Sequence, residues 1–212
     1  MIRPSERVVI TGVGVVSPFG VGLPAFQTGI FSGRRPVCHN QTLIEEKVPV
    51  TFAAQVPDWS PSRDLPPRCK PARMSRGTQF AHTALAEALR HATLSPEECA
   101  AEDVPLPIII GVGASGMEVL ENQFHRVHQN GKSDYTRARP GGAMAYLPQA
   151  TASSLATWLD IPCSTTTLST GCPSGLDVVM EACRVIRSGA ADLAIAGGTD
   201  AAITPITMGS FA

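Results

Sequence analysis

None of the six cysteines of this 212-residue chain (Cys38, Cys69, Cys99, Cys163, Cys172 and Cys183) forms a Cys-x-x-Cys pair. Zinc-ribbon and dithiol-redox chemistry are therefore not suggested. There is no charge excess either: 17 basic residues stand against 18 acidic ones, a net charge of −1. That balance argues against nucleic-acid binding and gives the molecule no overall steering field, so an acidic partner would have to find a local basic patch. Long apolar runs are missing. The opening stretch from Val8 to Phe19 is apolar but short, and Gly12, Gly14 and Pro18 interrupt it, so it reads as strand and turn, not as a signal core or a membrane span. With no secretory signal, reduced thiols and a cytoplasmic location are expected. The sequence also lacks the G-x-S-x-G elbow of a Ser-His-Asp hydrolase, internal repeats and low-complexity tracts.

The chain that remains is 43% apolar and 17% charged, enough to bury one large core. Arg7–Thr11 reads as a buried strand running into the turn Gly12-Val13-Gly14. Leu23–Phe31 reads as a short helix ended by Gly33. From Arg34 to Arg73 seven prolines break any period, and only Val50–Ala54 has strand character, so this part is expected to be an irregular surface excursion. Gln79–His91 has a helical apolar face of Phe80, Thr83, Ala84, Ala88 and Leu89. Pro107–Gly111 is a continuous apolar strand of the kind covered on both faces. Helices are expected over Met117–Gln129, closed by Gly131, and over Leu147–Leu159, which is rich in small residues. A threonine-rich strand, Ser164–Leu168, a helix over Ser174–Ser188 and a buried strand over Ala191–Ala196 complete the order. Strands alternating with helices predict an α/β protein with a largely parallel sheet.

The most chemically loaded stretch is Ser169-Thr170-Gly171-Cys172-Pro173-Ser174-Gly175-Leu176-Asp177, at a strand-to-helix turn. Free N–H groups of a first helical turn point toward such a cysteine, and the positive end of the helix dipole favours its thiolate. Pro173 suits the start of the helix, and the small residues Gly171, Ser174 and Gly175 leave room for a substrate carbonyl. The following helix is expected to bury Leu176, Val179, Met180, Cys183 and Ile186. The bland alternative is that Cys172 is one more small packing residue. As a nucleophile it would need an oxyanion hole, with its own N–H as one donor, and an acid or base that no histidine here is placed to supply.

Two other patterns compete. Gly111-Val112-Gly113-Ala114-Ser115-Gly116 fits the dinucleotide fingerprint, but the acidic residue at the right distance, Asp134, lies in a polar loop with no strand before it. A tight turn explains the glycines as well. His125 and His128 stand three apart on a helix without an evident third ligand, which suits a solvated face better than a metal site.

Four stretches, in order, resemble the β-ketoacyl synthases, the condensing enzymes of the thiolase superfamily. They are Arg7–Pro18, Met74–Ala81, the Thr170-Gly-Cys-Pro-Ser-Gly175 motif, which is similar to the family's active-site cysteine, and Ile186–Pro205. Ser-Thr-Gly-Cys-x-Ser-Gly-Leu-Asp also resembles the ketosynthases of aromatic polyketide systems. The resemblance implies a thiolase-like layered fold, of which this chain is the N-terminal βαβ-rich half over residues 1–212. It implies an acyl chain carried as a thioester on Cys172 and a decarboxylative condensation with malonyl-acyl carrier protein to give a 3-ketoacyl product. It implies no metal or organic cofactor. The implied partners are acyl carrier protein, acyl and malonyl thioesters, and a second ketosynthase-like chain in a homodimer or heterodimer; no nucleic acid or membrane is implied. Cys163-Ser164 stand where the family often has Gly-Pro. The resemblance further implies that the chain stops near the end of the first half, so that the family's histidines, lysine and second oxyanion donor lie outside it. A non-catalytic ketosynthase-like partner or remnant and a nucleotide-binding α/β domain are the alternatives.

Overall fold

The computed structural model describes residues 7–56, 59–60, 69–101 and 103–212. Its centre is the strand Leu106–Gly111, every residue of which is buried. On one side it pairs in parallel with Cys163–Leu168, and on the other with Ile195–Gly198. Successive side chains of a strand point to opposite faces, and the core is divided accordingly. Ile108 and Ile110 pack with Leu85 and Leu89 of the Arg76–Ala92 helix and with Leu155 and Leu159 of the Ala150–Leu159 helix. Ile109 packs with Val178 and Ala182 of the Ser174–Arg187 helix. The result is a three-stranded parallel sheet with helices on both faces, as the alternating pattern predicts.

The Arg76–Ala92 helix begins at Ser75, whose side chain accepts the Thr78 N–H, and ends at Thr93 in the left-handed conformation. The expected apolar face is only partly the buried one. The stripe that goes inside is Thr78, His82, Leu85 and Leu89, while Phe80, Thr83, Ala84 and Ala88 are half-buried. Hydrophobic periodicity missed Thr78 and His82 because they are buried in polar pairs. Thr78 Oγ1 lies 2.8 Å from Thr151 Oγ1, and His82 Nε2 lies 2.8 Å from Ser154 Oγ. These pairs stitch the helix to Ala150–Leu159.

Four further expectations need correction. Arg7–Thr11 is not a strand of the sheet, and its Val9 and Ile10 are 65% and 78% exposed. No neighbouring strand within the described residues offers it hydrogen bonds. The Ser174–Arg187 helix buries Ser174, Val178 and Ala182, whereas Leu176 and Met180 stay exposed. The small side chains are what let the helix lie close to the sheet, so the bulkier apolar residues face away. The first part of the expected excursion, residues 34–56, is more ordered than an irregular stretch. Val37–His39 pairs antiparallel with Phe52–Ala54 around a short helix, Gln41–Glu45, and Leu43, Val48 and Ala53 make a small core of their own. Pro57, Pro61, Pro66 and Pro67 lie outside the described residues. The Met117–Val127 helix gives way to a tight hairpin, His128–Gln129 with Lys132–Ser133, instead of continuing to Gln129.

Candidate active site

All three strands point their C-terminal ends at one edge of the molecule, where open α/β sheets bind ligands. Three loops meet there: 111–116, 169–173 and 198–200. Gly111 ends the central strand against the first turn of the Ser174–Arg187 helix, where a Cβ would overlap the Ser174 carbonyl. Gly198 faces Gly175 across the same junction, with room for only 2.9 Å between a Cβ and the Gly175 Cα. The glycines bring strand ends and helix start together.

Cys172 stands exposed in this junction, between the Cys163–Leu168 strand and the Ser174–Arg187 helix. Gly171 turns the chain with φ 83°, a value that a side chain at that position would oppose. Ser174 fixes the turn. Its Oγ accepts from the Thr170 N–H at 3.0 Å and donates to the Gly171 carbonyl at 2.6 Å. The Thr170 hydroxyl donates to Asp177 in the helix's first turn. Pro173 caps the helix, and its carbonyl accepts from the Leu176 and Asp177 N–H groups. Among the described residues no acceptor takes the Cys172 N–H, which leaves it free as a hydrogen-bond donor beside its own sulfur.

The neighbouring glycine turn is engaged from within the chain. Gly113 and Ala114 donate their N–H groups to the Asp200 carboxylate at 2.7 and 2.9 Å. Thr199 donates its N–H to the Gly111 carbonyl and its hydroxyl to the Gly77 carbonyl. Two of the amides that a pyrophosphate would require therefore already hold an anion, and Asp134 lies in an exposed turn bonded to Thr136. The G-x-G-x-x-G pattern is explained here by close packing and by Asp200. Asp200 was not legible as a site residue in the sequence, and Ser174 was read there only as a small residue beside Cys172, not as the hydroxyl that fixes the turn. A carboxylate just past a strand is the trace Asp200 leaves there.

The other thiols differ from Cys172. Cys69 and Cys99 are buried. Burial pushes the Cys99 thiol up, with Glu98 and Glu97 adding to it, and burial likewise raises Cys163. The histidines are occupied away from the junction: His39 beside Thr51, His82 beside Ser154, His91 accepting from the Val13 N–H, and His128 beside Ser133. His125 lies edge-on to Phe124. Among the described residues no group of three or more His, Cys, Asp or Glu side chains could hold a metal ion. No helix of the described residues is long and apolar enough to cross a membrane.

Residues 5–212 match the family described as Beta-ketoacyl synthase, N-terminal domain. The chain belongs to the β-ketoacyl synthase family. It is 35% identical, over 98% of its length, to a Streptomyces halstedii protein named as a polyketide beta-ketoacyl synthase 1, and covers 49% of it. It is 32% identical over its whole length to the tetracenomycin polyketide synthase ketoacyl synthase alpha subunit of Streptomyces glaucescens, covering 50% of that protein. It is 29% identical to 3-oxoacyl-[acyl-carrier-protein] synthase 2 of a Synechocystis strain, over 98% of this chain and 48% of the other. The chain thus spans about half the length of the curated relatives it matches. Among solved structures it superposes with TM-score 0.83 on the ishigamide ketosynthase/chain length factor, at 25% identity, over 98% of this chain and 50% of that one. It also superposes with TM-score 0.81 on a type II polyketide synthase acyl-carrier protein in complex with its ketosynthase bound to the hexaketide, at 27% identity, over 100% of this chain and 48% of that one. The fold is that of a thiolase-like ketosynthase.

Proposed function

We propose that the chain is the nucleophile-bearing half of a condensing acyltransferase of fatty-acid or polyketide biosynthesis. Its single domain would run over residues 1–212, and Cys172 would carry the acyl chain. The observation that carries the proposal is the Cys172 turn: an exposed thiol with an unpaired N–H beside it, held by Ser174, Thr170 and Asp177 at the mouth of the sheet. The sulfur attacks the carbonyl of an acyl thioester, and the Cys172 N–H stabilises the tetrahedral oxyanion. Collapse expels the carrier thiol and leaves the S-acyl enzyme. A malonyl thioester then loses carbon dioxide. Its carbanion attacks the S-acyl carbonyl, and the Cys172 sulfur leaves as thiolate and takes up a proton. The acid–base groups for these steps, and a second oxyanion donor, come from the half of the enzyme that this chain does not supply.

The proposed partners are an acyl carrier protein and a second ketosynthase-like chain, as a homodimer or heterodimer. The edge strand Cys163–Leu168, with Ser164, Thr165 and Thr166 exposed, supports pairing between chains. A cleft of about 520 Å³ lined by Arg76, Arg126 and Arg139, with Glu118 as its one acidic wall residue, supports docking of an acidic carrier. The reaction needs no metal or organic cofactor and is assigned to the cytoplasm. The test is condensation by the complete enzyme, this chain together with the remaining half, with and without Cys172→Ala. Loss of 3-ketoacyl product in the variant supports the reading. Undiminished product would move the chain to a non-catalytic partner role, and strong condensation by the 212-residue chain alone would refute the need for a second half.

A further inference from the structure

Ser174 is buried, and its hydroxyl has one proton to give. Two carbonyls lie within reach, Gly171 at 2.6 Å and Val112 at 3.3 Å, and the shorter bond takes the proton. Thr170 does not compete for that carbonyl. Its N–H donates to Ser174 Oγ at 3.0 Å, and its own hydroxyl proton is committed to the Asp177 carboxylate, which only accepts. The Gly171 carbonyl also accepts the Ser174 backbone N–H at 3.2 Å, so one residue holds it twice.

That carbonyl belongs to the same peptide unit as the Cys172 N–H. The unit is trans and planar, so its C=O and N–H point in opposite directions. The Gly171 oxygen faces inward, where a Cβ on Gly113 would lie 3.8 Å from it. The Cys172 N–H therefore faces outward, on the side where Cys172 is exposed and where no acceptor among the described residues takes it. Fixing the oxygen aims the hydrogen. A hydrogen bond to an amide oxygen also draws electrons from the nitrogen, so the N–H becomes a stronger donor. Bonds in such a chain reinforce one another by about 10–30% each.

We propose that Ser174 is a positioning residue for the condensing reaction: through the Gly171 carbonyl, its hydroxyl aims and strengthens the Cys172 N–H that receives the acyl oxyanion. The inference rests on Cys172 being the acyl acceptor. It separates two reactions of one sulfur. In acyl transfer the sulfur bonds to the thioester carbonyl carbon, and a negative oxygen forms against the Cys172 N–H. Collapse then breaks the bond to the carrier sulfur, which takes up the proton that Cys172 gave up. In alkylation by iodoacetamide the same sulfur displaces iodide from a CH2 carbon, and no oxyanion forms. A group that acts on the N–H serves the first reaction and not the second.

The experiment measures both rates on the complete enzyme, this chain with the remaining half, for the native protein, Ser174→Ala and Ser174→Thr. Acyl transfer from an acyl-pantetheine is followed in a single turnover by the mass of the Cys172 peptide. Ser174→Ala should slow it roughly tenfold or more, while alkylation of Cys172 keeps its native rate. Ser174→Thr, which retains the hydroxyl, should recover most of the acyl-transfer rate. Amide exchange in Leu106–Gly111 should stay slow in both variants, because the pairing of that strand with its neighbours is untouched. Equal loss of both rates would reduce Ser174 to a residue that holds the turn in shape, and loss of neither would leave its hydroxyl without a part in the reaction. Either result overturns the inference and leaves Cys172 acylation in place. A native enzyme that takes no acyl group on Cys172 would bring down the inference together with the function it rests on.

Discussion

His82 allows a prediction with a magnitude. It is fully buried between two helices, with Nε2 at 2.8 Å from Ser154 Oγ, its ring edge-on to Trp158, and no partner for Nδ1 among the described residues. Whichever ring nitrogen carries the single proton, one bond is satisfied and the other nitrogen is bare. A second proton would add a buried charge and a buried donor with nothing to receive it. Burial accordingly lowers the His82 pKa from 6.5 to about 4. Between those values the unfolded chain binds a proton that the folded chain refuses, so stability rises with pH. The contribution is intact above pH 6.5, is lost progressively as pH falls toward 4, and changes no further below that. At about 1.4 kcal/mol per pH unit, the roughly 2.5 units between the two states amount to about 3 kcal/mol. The perturbation is His82→Phe, which keeps an aromatic ring beside Trp158 and leaves the Ser154 hydroxyl free to turn to a backbone carbonyl one helical turn back. Urea unfolding of both proteins from pH 7 to pH 4 should show the native chain losing about 3 kcal/mol more than the variant. Parallel curves for the two proteins would refute the reasoning.

Gly111→Ala drives a Cβ into the Ser174 carbonyl and should destabilise the chain by about 1–3 kcal/mol in urea unfolding, with Gly197→Ala, where a Cβ meets nothing, as a control for lost flexibility. Asp200→Ala releases the Gly113 and Ala114 amides and should cost about 1 kcal/mol, seen together with faster exchange of those two amides. Leu155→Ala opens a cavity beside Ile108 and Ile110 and should cost about 2–5 kcal/mol by the same unfolding measurement. Under brief iodoacetamide treatment of the native chain, peptide mapping should find label on Cys172 and Cys38, which are exposed, ahead of Cys69 and Cys99, which are buried.

Much of the fold was legible because its signals are local. Pro107–Gly111 could only be a strand covered on both faces, and the threonine-rich run before Cys172 could only be extended. The Cys172 turn was legible for the same reason, from Gly171 before it and an amphipathic helix after it. Errors arose where burial depends on something distant. The period of the Ser174–Arg187 helix marks two apolar faces, and only the sheet selects the small one, Val178 and Ala182, over Leu176 and Met180. Thr78 and His82 look like surface residues until Thr151 and Ser154 arrive from 73 and 72 residues away. Val9 and Ile10 have the composition of a buried strand, but no strand within the described residues pairs with them. Asp200 acquires its role only when folding brings it beside Gly113.

The central claim is that Cys172 takes the acyl group, and mass-mapped acylation tests it most directly. The chain is incubated with an acyl thioester of pantetheine or acyl carrier protein, quenched in acid and digested. A hydroxylamine-sensitive acyl mass on the peptide containing Cys172, absent from Cys172→Ala and from the peptides of the other five cysteines, is the predicted result. An acyl mass on another cysteine, or an adduct that survives in Cys172→Ala, would contradict the account.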